Sequence, residues 1–194
     1  MRNLSIEKGI KSATNQQKTR ECDLIVYLYF LKPCDIVIKK RKECKKMIVL
    51  GADHGGYKFK EEIKKYLDEN GIQYEDIGTF SEERTDFPIM AKEVCEKIQK
   101  GEADKGILIC RSGYGMAIVA NKYKGIYCAP VYSEETAKFC RAHNNTNVLA
   151  LGADYMDKNE AIRCLRVWLA TNFEGGRYEQ RLNMIKDIER ENMK

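Results

Sequence analysis

The sequence contains no run of about 18 uncharged apolar residues, the length a membrane-spanning helix needs. Its longest apolar run, Leu24 to Leu31, is eight residues. Acidic Glu21 and Asp23 precede that run and no small-residue cleavage site follows it, which argues against a secretory signal. No two of the eight cysteines are spaced C-x-x-C, which leaves zinc ribbons and thioredoxin chemistry with little support. There are only two histidines, His54 and His143. Asp53 beside His54 offers two metal ligands, but no third and fourth stand at metal-binding spacing. No metal and no other cofactor is expected. The residue six places after Cys110 is Met116 rather than arginine, which rules out a Cys-x5-Arg phosphatase loop. Gly113 and Gly115 lack the third glycine of a dinucleotide fingerprint. No internal repeat or low-complexity segment is visible.

What is present is unevenly distributed. The formal net charge of the 194 residues is +5. Residues 1–46 carry 12 Lys and Arg against 5 Asp and Glu, whereas residues 47–194 carry 22 against 24. The C-terminal part therefore lacks the basic footprint of a nucleic-acid binder. Residues 1–46 show no clear period over their first 20 positions and read as a poorly ordered basic extension, with Met47 as the natural start of the folded part. The alternative is a basic arm that pairs with a partner or a sheet edge. Several cysteines sit in apolar runs, as small hydrophobes do in a reducing compartment, and the expected location is the cytoplasm.

From Met47 the pattern alternates strand and helix. Met47 to Ala52 is an apolar strand, turned by Asp53-His54-Gly55-Gly56. Phe59, Ile63, Tyr66 and Leu67 recur at helical spacing up to Asn70-Gly71. Gln73 to Ile77 reads as a strand and Phe87 to Lys100 as a helix with Pro88 in its first turn. Gly106 to Cys110 is the third strand, with a helix from about Gly115. Ile126 to Val131 is the fourth, followed by a helix that Ser133 caps. Asn147 to Leu151 is the fifth, followed by a helix from about Asp157. After Gly175-Gly176, Leu182, Ile185 and Ile188 mark a last amphipathic helix. Five strands alternating with helices imply one α/β domain over 47–194, a doubly wound, Rossmann-like parallel sheet with helices on both faces.

The loops at Asp53-His54, Cys110 to Gly115, Ser133 and His143-Asn144 are expected to converge above the sheet. Cys110 sits where a strand turns into a helix, and open α/β sheets bind ligands at the carboxyl ends of their strands. Oriented backbone N–H groups there favour a thiolate, which acts as a base or a nucleophile. The competing reading is that Cys110 is the last core residue of its strand. His54 and His143 are acid–base candidates or structural residues. Arg177 and Arg181, four apart, suit a phosphate, or else line a solvated helix face.

Taken together, these stretches resemble the ribose-5-phosphate isomerase B family, which includes subunits of galactose-6-phosphate isomerase. The resemblance spans residues 47–190. It is carried by Asp53-His54-Gly55-Gly56, Ser81 to Pro88, Gly113 to Lys122, His143 to Leu149 and Glu174 to Arg181. It implies a metal-independent aldose–ketose isomerase of sugar phosphates, with ribose 5-phosphate first and a hexose 6-phosphate second. By that resemblance Cys110 is the base, His143 and Ser112 assist ring opening, and the N–H groups from Arg111 through Gly113, Tyr114 and Gly115 hold the enediolate. Asp53, His54 and Asn144 bind sugar hydroxyls, and Arg177 and Arg181 the phosphate. A homodimer with shared sites is implied, with no nucleic-acid or membrane partner. A binding module without catalysis, or an inert domain recruited through its basic arm, are the competing classes. This sequence departs from the family at Arg111-Ser112, where Gly-Thr is common, and at Asp154, where ribose-type members often carry an arginine. Those two residues are expected to pair.

Overall fold

The structure, a computed structural model, describes residues 47–193; the expected extension over 1–46 lies outside them. Five strands form one parallel sheet: β1 (Ile48–Ala52), β2 (Tyr74–Asp76), β3 (Lys105–Cys110), β4 (Cys128–Pro130) and β5 (Val148–Gly152). Their spatial order is β2-β1-β3-β5-β4. Six helices complete the described residues: α1 (Tyr57–Glu69), α2 (Phe87–Gln99), α3 (Tyr114–Ala120), α4 (Glu134–Asn144), α5 (Lys158–Ala170) and α6 (Arg177–Asn192).

Alternate residues of the central strands feed two cores, as the period of two requires. Ile48, Leu50, Ile107, Ile109, Leu149 and Leu151 pack on α1, α4 and α5, through Ile63, Leu67, Ala137, Leu165 and Trp168. Val49, Leu108, Cys110, Val148 and Ala150 pack on α2 and α3, through Met90, Val94, Met116 and Ala120. Strands covered on both faces read as continuous apolar runs, which is why the doubly wound sheet is visible in the sequence.

The edges are shorter than expected. β2 has three residues rather than five, and β4 has three rather than six. Among the described residues each pairs on one side only. Short edge strands leave little unpaired backbone to template association. Pro130, which has no N–H, is tolerated at such an edge.

Helix ends follow their caps. Ser133 accepts the Thr136 N–H, and the Thr136 hydroxyl accepts the Ser133 N–H in return. Asp157 accepts the N–H groups of Asn159 and Glu160. Ser133 is therefore a structural cap. In α6 the expected apolar face is only partly buried. Leu182 is covered, but Ile188 is 57% exposed and Ile185 39%. The other buried position of that helix is Glu189, whose carboxylate accepts the Gly125 N–H at 3.1 Å and the Tyr127 hydroxyl at 3.4 Å.

Candidate active site

The chain reverses direction across the sheet between β1 and β3. From β1 it moves out to β2, then returns to the other side of β1. Such a switch point opens a crevice at the carboxyl ends of the two strands. Asp53 and Cys110 stand at that crevice. The Asp53 N–H bonds the Ile109 carbonyl oxygen at 3.2 Å, so the turn after β1 lies against the end of β3.

Cys110 is 5% exposed and closes β3. Its Sγ accepts the Gly113 N–H at 3.0 Å. That bond needs the chain to double back within three residues. Gly113 supplies the reversal with φ +79°, a region that favours residues without a Cβ. Ser112, between them, is half-buried, while Tyr114 is exposed and begins α3.

Asp53 is buried, with one carboxylate oxygen accepting the Gly56 N–H at 3.0 Å. Burial pushes its carboxyl above the ordinary range. The Gly56 and Gly55 N–H groups and the electrostatic pull of His54 and Arg111 oppose that push without cancelling it. His54 is tied sideways: its Nδ1 lies 3.0 Å from the Thr85 carbonyl oxygen and receives the Thr85 N–H at 3.3 Å.

Thr85 is itself anchored by a buried ion pair the sequence did not single out. Its hydroxyl donates to the Thr79 hydroxyl at 3.2 Å. The Thr79 carbonyl accepts Lys60 Nζ at 2.7 Å, and Lys60 also bonds Asp76 at 2.5 Å. The Lys60 side chain is fully buried, and burial pushes its ammonium below the ordinary range against the pull of Asp76. Burial alone would raise Asp76. The bonds from Lys60, Lys64 and the Gly78 N–H outweigh it and hold that carboxylate below its usual range. An amphipathic helix pattern gives no hint that one of its lysines points inward; a partner carboxylate 16 residues later was the only available signal.

Arg111 and Asp154 do pair. Arg111 Nη1 is 3.5 Å from Asp154 Oδ2, and the Asp154 N–H bonds the Arg111 carbonyl oxygen at 2.9 Å. The Arg111 side chain lies against Gly55, at the rim of the crevice.

The second half of the expected site is elsewhere. In a parallel sheet the connecting helices run back, so the last turn of α4 returns to the amino edge. His143 there leads directly into β5, whose first residue, Val148, pairs with Gly106 at the start of β3; Cys110 pairs with Gly152 at the far end. Four residues of strand separate these levels, about 13 Å. The expected convergence of the His143-Asn144 loop with the other loops of the same chain does not occur. His143 is instead stacked between Phe139 (4.9 Å) and Tyr178 (4.1 Å), with Nε2 3.7 Å from a Glu174 carboxylate oxygen. Arg177 and Arg181 flank the same Tyr178 ring at 4.8 and 5.8 Å. Arg177 is exposed and so available to an anion, and its bond to the Tyr178 hydroxyl holds its pKa above the ordinary value. Asn144 lines a cavity of about 220 Å³ with Tyr127, Cys128, Cys140 and Thr146. The residues thus form two groups, one at each end of the sheet: Asp53, His54, Cys110 to Gly115 and Asp154; and His143, Asn144, Arg177 and Arg181.

The family described as Ribose/Galactose Isomerase matches residues 48–185. A putative sugar phosphate isomerase of Bacillus subtilis is 42% identical over 147 residues, 75% of this chain and 99% of the relative. Ribose-5-phosphate isomerase B of Escherichia coli is 42% identical over 144 residues, 74% of this chain and 97% of the relative. Among solved structures, ribose-5-phosphate isomerase B of Clostridium thermocellum aligns with a TM-score of 0.74 at 39% identity, covering 75% of this chain and 98% of the other. The Mycoplasma genitalium enzyme, solved with bound ribulose-5-phosphate, aligns with a TM-score of 0.72 at 36% identity, covering 75% and 97%.

Proposed function

The chain belongs to the ribose/galactose isomerase family, and from that membership we propose that it interconverts an aldose phosphate and a ketose phosphate, ribose 5-phosphate and ribulose 5-phosphate first. The observation that carries this reading is the Cys110 sulfur at the switch point, bonded by the Gly113 N–H and set beside the buried Asp53.

In the proposed reaction His143, aided by the Ser112 hydroxyl, opens the sugar ring. The Cys110 thiolate removes the proton from C2 of the open aldose, and the electron pair left behind forms the enediolate. N–H groups between Arg111 and Gly115 hold the developing oxyanion. The thiol then returns its proton to C1, while the 2-hydroxyl proton passes to O1, so the ketose forms with no atom gained or lost. Asp53, His54 and Asn144 hold hydroxyl groups. Arg177 and Arg181 take the phosphate, for which forked donors four residues apart are suited.

Because the two groups of residues stand at opposite ends of one sheet, we assign each working site to two chains. One contributes Cys110 and Asp53; a second copy contributes His143 and the arginines. The exposed apolar side chains of Tyr114, Ile118, Met184 and Ile188 are suited to such an association. Five free thiols among the described residues fit a cytoplasmic location. Among the described residues no helix is long and apolar enough to cross a membrane.

The test is a panel of 5- and 6-phosphosugars assayed with the wild-type chain and Cys110→Ala. Turnover of ribose 5-phosphate, falling at least about 10²-fold in the variant, is expected of a general base. Equal turnover by the two proteins removes Cys110 from the mechanism. Turnover confined to 6-phosphosugars would move the substrate to the hexose phosphates, with the Arg111–Asp154 pair at the rim as the feature responsible.

A further inference from the structure

We propose that Tyr132 is a positioning residue for the Cys110 thiolate, acting through the peptide that joins Ser112 to Gly113; the proposal rests on the isomerase reading of Cys110. The Tyr132 hydroxyl donates to the Ser112 carbonyl oxygen at 2.8 Å. The Gly113 N–H donates to Cys110 Sγ at 3.0 Å. That carbonyl and that N–H are the two ends of one planar trans peptide and point in opposite directions. Tyr132 therefore grips the far end of the group that faces the sulfur.

Two consequences follow from elementary chemistry. A hydrogen bond at the carbonyl oxygen polarises the amide and strengthens its N–H as a donor. It also stops the peptide plane from turning, which matters at a glycine, since Gly113 has no Cβ to restrict its φ. The fold makes room for this contact. A Cβ on Gly152 would come 2.8 Å from the same Ser112 oxygen, so β5 leaves the carbonyl accessible.

The tyrosine is held for the task. Its ring lies 5.7 Å from that of Tyr114 and 6.3 Å from that of Tyr155, in tilted and edge-on geometry. Burial, and then the neighbouring Tyr114, push its hydroxyl pKa above the ordinary value, so the donor proton stays in place through the neutral range. Tyr132 leaves β4 just before the Ser133 cap, which fixes where the side chain starts.

The experiment compares the full-length wild-type chain with Tyr132→Phe, which keeps the ring, and Tyr132→Leu, which removes it. Alkylation of Cys110 by iodoacetamide at pH 7 is followed by mass spectrometry of its peptide, beside kcat, KM and the thermal midpoint. Tyr132→Phe should slow alkylation about three- to tenfold and lower kcat by a similar factor, with KM within about twofold. Tyr132→Leu should slow alkylation equally and lose thermal stability as well. Wild-type alkylation in Tyr132→Phe, or a loss confined to Tyr132→Leu, overturns the proposal, since packing alone would then be the role of the ring. Alkylation needs no substrate. If the wild-type chain turned over no sugar phosphate, the isomerase reading would fall while the contact from Tyr132 to the sulfur was still decided.

Discussion

The Arg111 guanidinium and the Asp154 carboxylate, borne on the loops after β3 and β5, stand 3.5 Å apart at the rim of the crevice, their side chains 71% and 51% exposed. An ion pair this exposed contributes at most about 1 kcal/mol to folding. Its weight should fall on substrate instead. Asp154→Arg, which faces Arg111 with a like charge, should change KM for phosphosugars several-fold and leave the thermal midpoint within a few degrees. Adding Arg111→Asp should restore KM toward the wild-type value. Additive effects in the double variant would mean that the two side chains act separately.

The placement of Cys110 and His143 at opposite ends of the sheet yields a mixing experiment. Cys110→Ala and His143→Ala should each be nearly inactive alone. Unfolded together and refolded as a mixture, they should regain about a quarter of wild-type activity, because in the proposed dimer half the pairs would be mixed and each would hold one intact composite site. Sites built within single chains would regain nothing.

Asp53 titrates above its ordinary value because burial outweighs its hydrogen bonds and the pull of His54 and Arg111. The folded state thus holds this proton more tightly than the unfolded chain. Its charged form costs stability above the folded pKa, and that cost fades as the pH falls toward the unfolded carboxylate value of about 4. Asp53→Asn keeps an acceptor for the Gly56 N–H and removes the cost. The variant should melt higher than wild type at pH 7, with the gap closing toward pH 4, while activity at pH 7 falls at least about tenfold through loss of the bond proposed to a sugar hydroxyl. A lower melting point at pH 7 would contradict this.

Lys60→Met keeps the aliphatic stem but strips Asp76 and the Thr79 carbonyl of their buried donor. Breaking such a pair costs roughly 3 kcal/mol, a fall of about 10 °C in thermal midpoint for a chain of this size. The effect should extend to the site, because Thr79 and Thr85 link the lysine to His54; KM should rise several-fold. Unchanged KM with lowered stability would confine the pair to the scaffold.

Much of the fold was legible because its central strands are buried on both faces and bounded by Gly, Asn and Ser-type punctuation. The edges β2 and β4 were overextended, since an apolar sequence does not show how far a strand has a neighbour to pair with. The site was legible by residue type more than by place. The sequence named Asp53, Cys110 and His143, but setting His143 above the same end of the sheet as Cys110 overlooked that α4 runs antiparallel to the strands it joins. Ile188 obeys the helical period of a buried face and is nonetheless exposed, because Leu182 and Glu189 make the contacts that hold α6. Tyr132 left no trace in the sequence, as a side chain bonding a distant carbonyl has no spacing rule.

Glu189 gives the C-terminal helix an unexpected mechanical meaning. Its carboxylate is fastened to the backbone of the Gly125 turn about 18 Å along the helix from Arg177. A helix is stiff over that length, so the latch at one end sets the aim of the guanidinium groups at the other. Losing that latch would leave Leu182 to hold the rod, and the phosphate affinity proposed for Arg177 and Arg181 would drop although nothing near the anion had been altered.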